Sequence, residues 1–233
     1  MAAGSDRGPW NAAYDDEPEA YDDLRAGGHM ARRRVEYFRR VVNRVPGSVV
    51  ELGCGTGTLL RGLAAAHPDR SFLGVEPLPN YVEFARERAA DAGLTNVRFA
   101  AAPGEELGSV VPPGSAGLVI SVDSLHHVED LDRVVTAVAT ATALDGRWYA
   151  MEPNRLHPYV LAYHVLTAGE RTFDPGQFLR LARRRGWALV GSRRMYVFPS
   201  GVPAVPAWAG RLERQLESSR LLSGAVVQDL VRT

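Results

Sequence analysis

Three groups of residues in this chain have the types and spacing to do chemistry. The first is the stretch Val49-Val50-Glu51-Leu52-Gly53-Cys54-Gly55-Thr56-Gly57-Thr58-Leu59-Leu60, where an acid precedes three glycines set two apart. Glycine permits backbone angles closed to other residues and lets a ligand approach the main chain with no Cβ in the way. The N–H groups that open the following helix then face whatever lies in the turn. The second is Glu76, 19 residues beyond Gly57 at the end of the apolar run Ser71–Val75. A carboxylate there can accept both hydroxyls of a ribose, with charge-assisted strength. The third is His126-His127, behind the apolar segment Gly117–Val122 and Asp123. An unperturbed imidazole titrates near ~6.5, so His126 or His127 could act as a base; the alternative is that one of them caps a helix or bonds the loop backbone.

The glycine spacing narrows the ligand. A dinucleotide turn needs G-x-G-x-x-G and a phosphate-cradling P-loop needs Gly-Lys-Ser/Thr, whereas the chain has G-x-G-x-G and no lysine anywhere. Glu51 is a poor neighbour for a pyrophosphate and suits a cationic group, such as an ammonium or a sulfonium. The turn E-L-G-C-G-T-G closely resembles the first motif of class I S-adenosylmethionine-dependent methyltransferases. The Leu-His-His segment is similar to that of the ubiquinone and menaquinone biosynthesis methyltransferases (the methyltransferase type 11 group).

The resemblance covers roughly Val35 to Arg232 and implies a site residue by residue. Glu51, Gly53, Cys54, Gly55, Gly57, Glu76, Pro77, Gly104, Glu105, Ser121 and Val122 would bind the cofactor. Tyr14 and Tyr21, seven residues apart on one helical face, either pack in a core or belong to a segment folding over the cofactor. The acid that usually meets the adenine amino group is replaced by Pro103, so either Glu105 takes over or the adenine meets only backbone and Ala102. A usual Asp is also replaced, by Gly117. Asp123, His157, Tyr159 and Tyr163 would meet the substrate, with His164 a further candidate for shaping the pocket. No metal is expected.

Elements that would position these residues are legible from periodicity. Apolar residues at helical spacing within 29–45 (Val35, Phe38, Val41, Val42) give an Arg-rich helix, whose arginines form a solvated face unless one meets the cofactor's carboxylate. Strands are expected at 49–52, 71–76, 97–101, 117–122, 147–154, 187–198 and 224–231. Helices alternate with them, as a parallel doubly wound sheet demands. The expected fold is α/β: a Rossmann-like, seven-stranded, mostly parallel sheet with helices on both faces, the last strand antiparallel, and a small helical cap over the active site. Residues 1–28 would be an N-terminal segment folding over the cofactor site. Residues 29–233 would be a single domain, with a cap insertion at about 155–173.

Composition bounds the partners. The 27 arginines balance 27 acidic residues over 233 positions, so no global field draws the chain to nucleic acid or an anionic membrane. The lone Cys54 allows no intrachain disulfide. No apolar run approaches the ~18 residues of a membrane span, and the first residues lack a secretion-signal pattern. A cytoplasmic location, no nucleic-acid or membrane partner, and a monomer or homodimer are expected. The function implied is methyl transfer from S-adenosylmethionine to a small-molecule O, N or C nucleophile, with specialised-metabolite biosynthesis as one setting, leaving S-adenosylhomocysteine. The alternatives are a non-methylating S-adenosylmethionine enzyme such as a cyclase, a dinucleotide oxidoreductase, or a non-catalytic partner protein.

Overall fold

The computed structural model describes residues 17–167, 170–199 and 202–233. Tyr14 therefore lies outside the described residues. Helices α1 (Pro18–Ala26) and α2 (Gly28–Arg44) lead into β1 (Ser48–Leu52), α3 (Thr58–Ala66), β2 (Phe72–Glu76), α4 (Pro79–Asp91) and β3 (Val97–Ala101). A short 3-10 helix (Gly104–Ser109) precedes β4 (Ala116–Val122), α5 (Leu131–Ala141) and β5 (Thr142–Pro153). The chain ends with α6 (Pro158–Leu166), α7 (Pro175–Arg184), β6 (Trp187–Met195), α8 (Ala207–Leu216) and β7 (Ala225–Arg232).

The seven strands form one sheet in the order β3-β2-β1-β4-β5-β7-β6. Strands β1 to β5 pair in parallel, and β7 runs antiparallel between β5 and β6. The expected fold class is therefore the observed one. Strand order reverses between β1 and β4, which opens a crevice beyond their carboxyl ends, where ligands of open α/β sheets bind.

Period-two alternation divides the core. Val49 packs with Phe38 and Val42 of α2, Leu60 and Leu63 of α3, and Ala85 of α4 on one face. Val50 and Leu52 pack with Val134 and Val138 of α5 and Phe178 of α7 on the other. Glu51, between them in sequence, points to the α2 side, yet only 3% of it is exposed.

Several boundaries differ from the sequence expectation. β5 begins five residues before Arg147, because α5 runs directly into it at Thr142 through a register shift opposite Ala116/Leu118. β6 stops at Met195, where Tyr196 takes a positive φ of 66°. The Gly117 departure has a steric cause: a Cβ there would sit 2.3 Å from the Pro46 carbonyl oxygen. The Pro46-Gly47 turn into β1 thus excludes any side chain at 117, the usual Asp included.

Candidate functional site

The glycine turn is built from contacts that leave no room for side chains. A Cβ on Gly53 would lie 2.4 Å from Ser124 Cβ, and one on Gly57 would lie 2.6 Å from the Phe99 ring. Both residues have positive φ, as does Gly55 (φ 54°). Gly57 thereby seats α3 against β3, while Gly55 meets a different neighbour: its missing Cβ would stand 3.1 Å from the Tyr21 ring.

Tyr21 belongs to α1, which lies over the turn and is fastened there by Asp22. The Asp22 carboxylate accepts from Thr56 Oγ1 (2.8 Å), Thr58 Oγ1 (2.7 Å) and Arg61 (2.7 Å). It sits at the N-terminus of α3, which has no side-chain cap of its own, so it supplies the acceptor that the first turn needs. Burial disfavours its charge, but the two threonine hydroxyls and Arg61 hold its carboxyl below the usual range. Asp22 lies 39 residues from Arg61 in sequence, so no local motif marks the contact.

Two cavities meet at Tyr21. The larger, about 470 Å³, is lined by Gly53, Gly55, Glu76, Pro77, Gly104, Glu105, Val122, Asp123 and His127, together with Leu78, Ala102 and Pro103. The smaller, about 280 Å³, is lined by Arg25, Arg34, Glu51, Gly53, Cys54, Thr56 and Val122. Of the described residues expected to bind the cofactor, Gly57 borders neither, and nor does Ser121. It is fully buried, and its hydroxyl accepts from Trp148 Nε1 at 3.0 Å. Alternation along β4 turns Ser121 to the face opposite the cavity side.

The acids of the site are buried. Glu76 accepts from Gly55 N–H (2.9 Å) and Leu78 N–H (3.3 Å). Burial pushes its carboxyl up to about 7 against those two donors. Glu51 is pushed up to about 8 by burial, which Arg34 and Arg25 offset only in part. Its Oε2 has no hydrogen-bond partner, a costly arrangement for a buried acceptor. Nearby, Arg34 pairs through one nitrogen with Asp123 (3.1 Å), as does Arg25 (3.0 Å), while Arg34 Nε has no partner. Asp123 sits at φ 50°, an angle Asp tolerates better than most residues. Burial works against its charge, but Arg34, Arg25 and His126 keep its carboxyl low. The Arg-rich helix thus contributes one buried arginine to the site. Glu105 Oε1 accepts from the backbone N–H of Glu129 and Asp130 (3.0 and 3.1 Å), holding that loop to the cavity wall.

His126 differs from its expected role. It is 4% exposed, and Nδ1 contacts Glu152 Oε2 at 2.6 Å. Burial opposes its charge, yet Glu152, Glu170 and Asp123 together push it up to about 9. Both ring nitrogens of His126 thus face carboxylates, Glu152 Oε2 and Glu170 Oε2, and the ring lines neither cavity. His127 is the histidine that borders the cavity.

The cap residues also sort differently from expectation. His157 accepts from Val160 N–H (3.4 Å) as the N-cap of α6, and Tyr159 and Tyr163 are exposed. None of the three borders either cavity. The cap residue that turns inward is His164, whose ring stacks on that of His126 with centroids 5.3 Å apart.

These features fit S-adenosylmethionine on structural grounds. The orphaned Glu51 oxygen suits an ammonium, Glu76 at the sheet edge suits ribose hydroxyls, and the glycines clear the main chain between them. Residues 49–146 match the family described as "Methyltransferase domain". The chain is 42% identical over 82 residues to trans-aconitate 2-methyltransferase of Rhodococcus jostii, covering 35% of this chain and 32% of that protein. It is 32% identical over 160 residues to a tRNA (guanine-N(7)-)-methyltransferase of Bifidobacterium longum, covering 63% and 55%. The chain thus spans from a third to about half the length of these relatives. Among solved structures, an S-adenosylmethionine-dependent methyltransferase from Archaeoglobus fulgidus superposes with a TM-score of 0.69 at 13% identity, over 94% of this chain and all of that one (100%).

Proposed function

We propose that the chain, whose residues 49–146 match the methyltransferase-domain family, is a class I S-adenosylmethionine-dependent methyltransferase that transfers the cofactor's methyl group to a nucleophilic atom of a small molecule. The cofactor, when bound, supplies a sulfonium methyl open to in-line attack. The observation that carries this reading is Glu76, 7% exposed, at the end of β2 on the wall of the same cavity that Gly53 and Gly55 border.

The chain's own residues would divide the work. Glu76 would accept the ribose hydroxyls in exchange for its two backbone donors. Glu51 would take the ammonium and Arg34 the carboxylate of the methionine portion. Leu78, Ala102 and Pro103 would flank the adenine, with Glu105 positioning the wall instead of reading the base. Tyr21 over Gly55 would exclude water from this end. Holding donor and acceptor in line can lower a barrier by roughly 7–11 kcal/mol. His127, which borders the cavity beside Asp123, is placed to meet the acceptor.

A small acceptor is favoured over tRNA because charge balances over the whole chain. A monomer or homodimer working in the cytoplasm completes this reading; no described helix is long and apolar enough to cross a membrane.

Calorimetry with S-adenosylhomocysteine tests it. Glu76→Ala removes two charge-assisted acceptors, each worth about 1.5–3 kcal/mol, so affinity should fall about 100-fold or more in a protein that still melts cooperatively. Unchanged affinity would remove the basis for the cofactor assignment. A methyl-label assay should then show transfer to hydroxy-acid, phenol or amine acceptors; transfer only to tRNA would refute the small-molecule half.

A further inference from the structure

At the wall of the larger cavity, three imidazoles converge on one carboxylate oxygen. His126 Nε2, His127 Nε2 and His164 Nε2 lie 3.6, 3.8 and 3.9 Å from Glu170 Oε2. These are too long for hydrogen bonds, and Glu170 Oε2 is buried with no such partner. His164 Nδ1 is likewise buried and unpartnered. One ligand atom from each of His126, His164 and Glu170 lies within 4.8 Å of the others. Ligands of a four-coordinate ion bound at ~2.1 Å stand about 3.4 Å apart. The 3.6 Å edge between His126 and Glu170 therefore needs almost no movement, the 3.9 Å edge between His164 and Glu170 must close by about half an ångström, and the edge between the two imidazoles, within 4.8 Å, by up to about 1.4 Å.

The outer layer is also in place. While Nε2 of His126 faces Glu170, its Nδ1 meets Glu152 Oε2 at 2.6 Å. Glu152 Oε1 in turn accepts from the N–H groups of Ser124 (3.1 Å) and Leu125 (2.8 Å). A carboxylate behind a ligating histidine fixes the ring's orientation and raises its basicity, as metal-binding histidines commonly require. Arg171 donates to the carbonyls of His126 and Val128, locking the segment that carries Glu170 onto the loop that carries the histidines.

We propose that His126, His164 and Glu170, assisted by His127, bind a first-row divalent cation of the kind that takes imidazole, such as Zn²⁺. This departs from the expectation of no metal. Two imidazoles and one carboxylate disfavour Mg²⁺ and Ca²⁺, which take oxygen ligands. The cation satisfies the orphaned Glu170 oxygen and ties α6 to the loop after β4. That joins the cap to the cavity wall at His127.

The test is titration of untagged full-length protein carrying Cys54→Ser with ZnCl₂, followed by calorimetry and by metal content after gel filtration. One equivalent should bind and raise the Tm, and excess MgCl₂ should not compete. His164→Ala and Glu170→Gln should each weaken binding at least tenfold. Glu152→Gln should weaken it 10–100-fold. Because the His164 and Glu170 variants alter a surface-proximal cap, a cooperative melt in each confirms that loss of metal is not loss of fold. Co²⁺ should give a visible absorption band in the parent protein that both variants lack. Less than one equivalent in the parent, or parent-like affinity in both cooperative variants, would overturn the site. Neither cofactor nor acceptor is present, so the result is independent of the methyl-transfer reading.

Discussion

Glu51 makes cofactor affinity a function of pH. Its carboxyl is held up to about 8 by burial, and that of Glu76 up to about 7. Both must be ionised to engage an ammonium and two ribose hydroxyls, so binding releases protons whenever the pH lies below these values. A group with a pKa of about 8 is about 1% ionised at pH 6 and about 9% at pH 7; one with a pKa of about 7 goes from about 9% to about 50%. The product is an affinity for S-adenosylmethionine about fifty-fold tighter at pH 7 than at pH 6. Glu51→Gln should remove the first factor, leaving about a five-fold change that comes from Glu76.

The sign follows from the direction of the shifts: raised carboxyls keep their protons until the pH rises, so the ligand wins only as they lose them. Calorimetry between pH 6 and 7.5, in buffers of different ionisation enthalpy, reads both the affinity and the released protons. The window stops at 7.5 because an α-amino group itself titrates at about 7.7–8.0. A flat affinity over this range would refute the reasoning, as would equal slopes in the parent and Glu51→Gln proteins. The same shift acts on the fold. Raised from 4.5 to about 8, Glu51 contributes stability that is full below about pH 4.5 and is lost as the pH rises through about 8. The Tm of the ligand-free protein should therefore fall across that range more than that of Glu51→Gln.

Two further predictions separate structural from binding roles. Gly117→Ala would drive a methyl to within 2.3 Å of the Pro46 carbonyl, so it should cost about 2 kcal/mol or more and lower the Tm by about 5 °C or more; a Tm within a degree of the parent's would show that the turn gives way. Ser121→Ala leaves Trp148 Nε1 without its acceptor and should cost about 1–3 kcal/mol in chemical denaturation. Its S-adenosylhomocysteine affinity should match the parent's, and a tenfold loss would place Ser121 in the site after all.

The sheet order and the cofactor acids were legible because they depend on local pattern. Alternation, glycine spacing and the acids near the ends of β1, β2 and β5 are all written within windows of a few residues. The cap was not legible in the same way. Tyr159 and Tyr163 carry the attractive side chains, yet α6 turns them to solvent and turns His164 inward. Which face of a short helix is buried depends on docking, and α6 is apolar nearly all round. His126 looked like a base because imidazole titrates near neutrality. The carboxylates that face its ring nitrogens stand 26 and 44 residues away in sequence, at Glu152 and Glu170. Asp22 escaped notice for the same reason: its partners Thr56, Thr58 and Arg61 are 34 to 39 positions distant.

The fastening of α1 has a consequence for timing. Tyr21 stands where the two cavities meet, and a ligand whose amino-acid end lies at Glu51 and whose ribose lies at Glu76 must run through that junction. Under the proposed binding mode, loading would require the Asp22 bonds to its three partners to break, and so would unloading of the spent cofactor. The barrier that slows capture would then also prolong residence, and the helix's unlatching rate would set an upper limit on turnover.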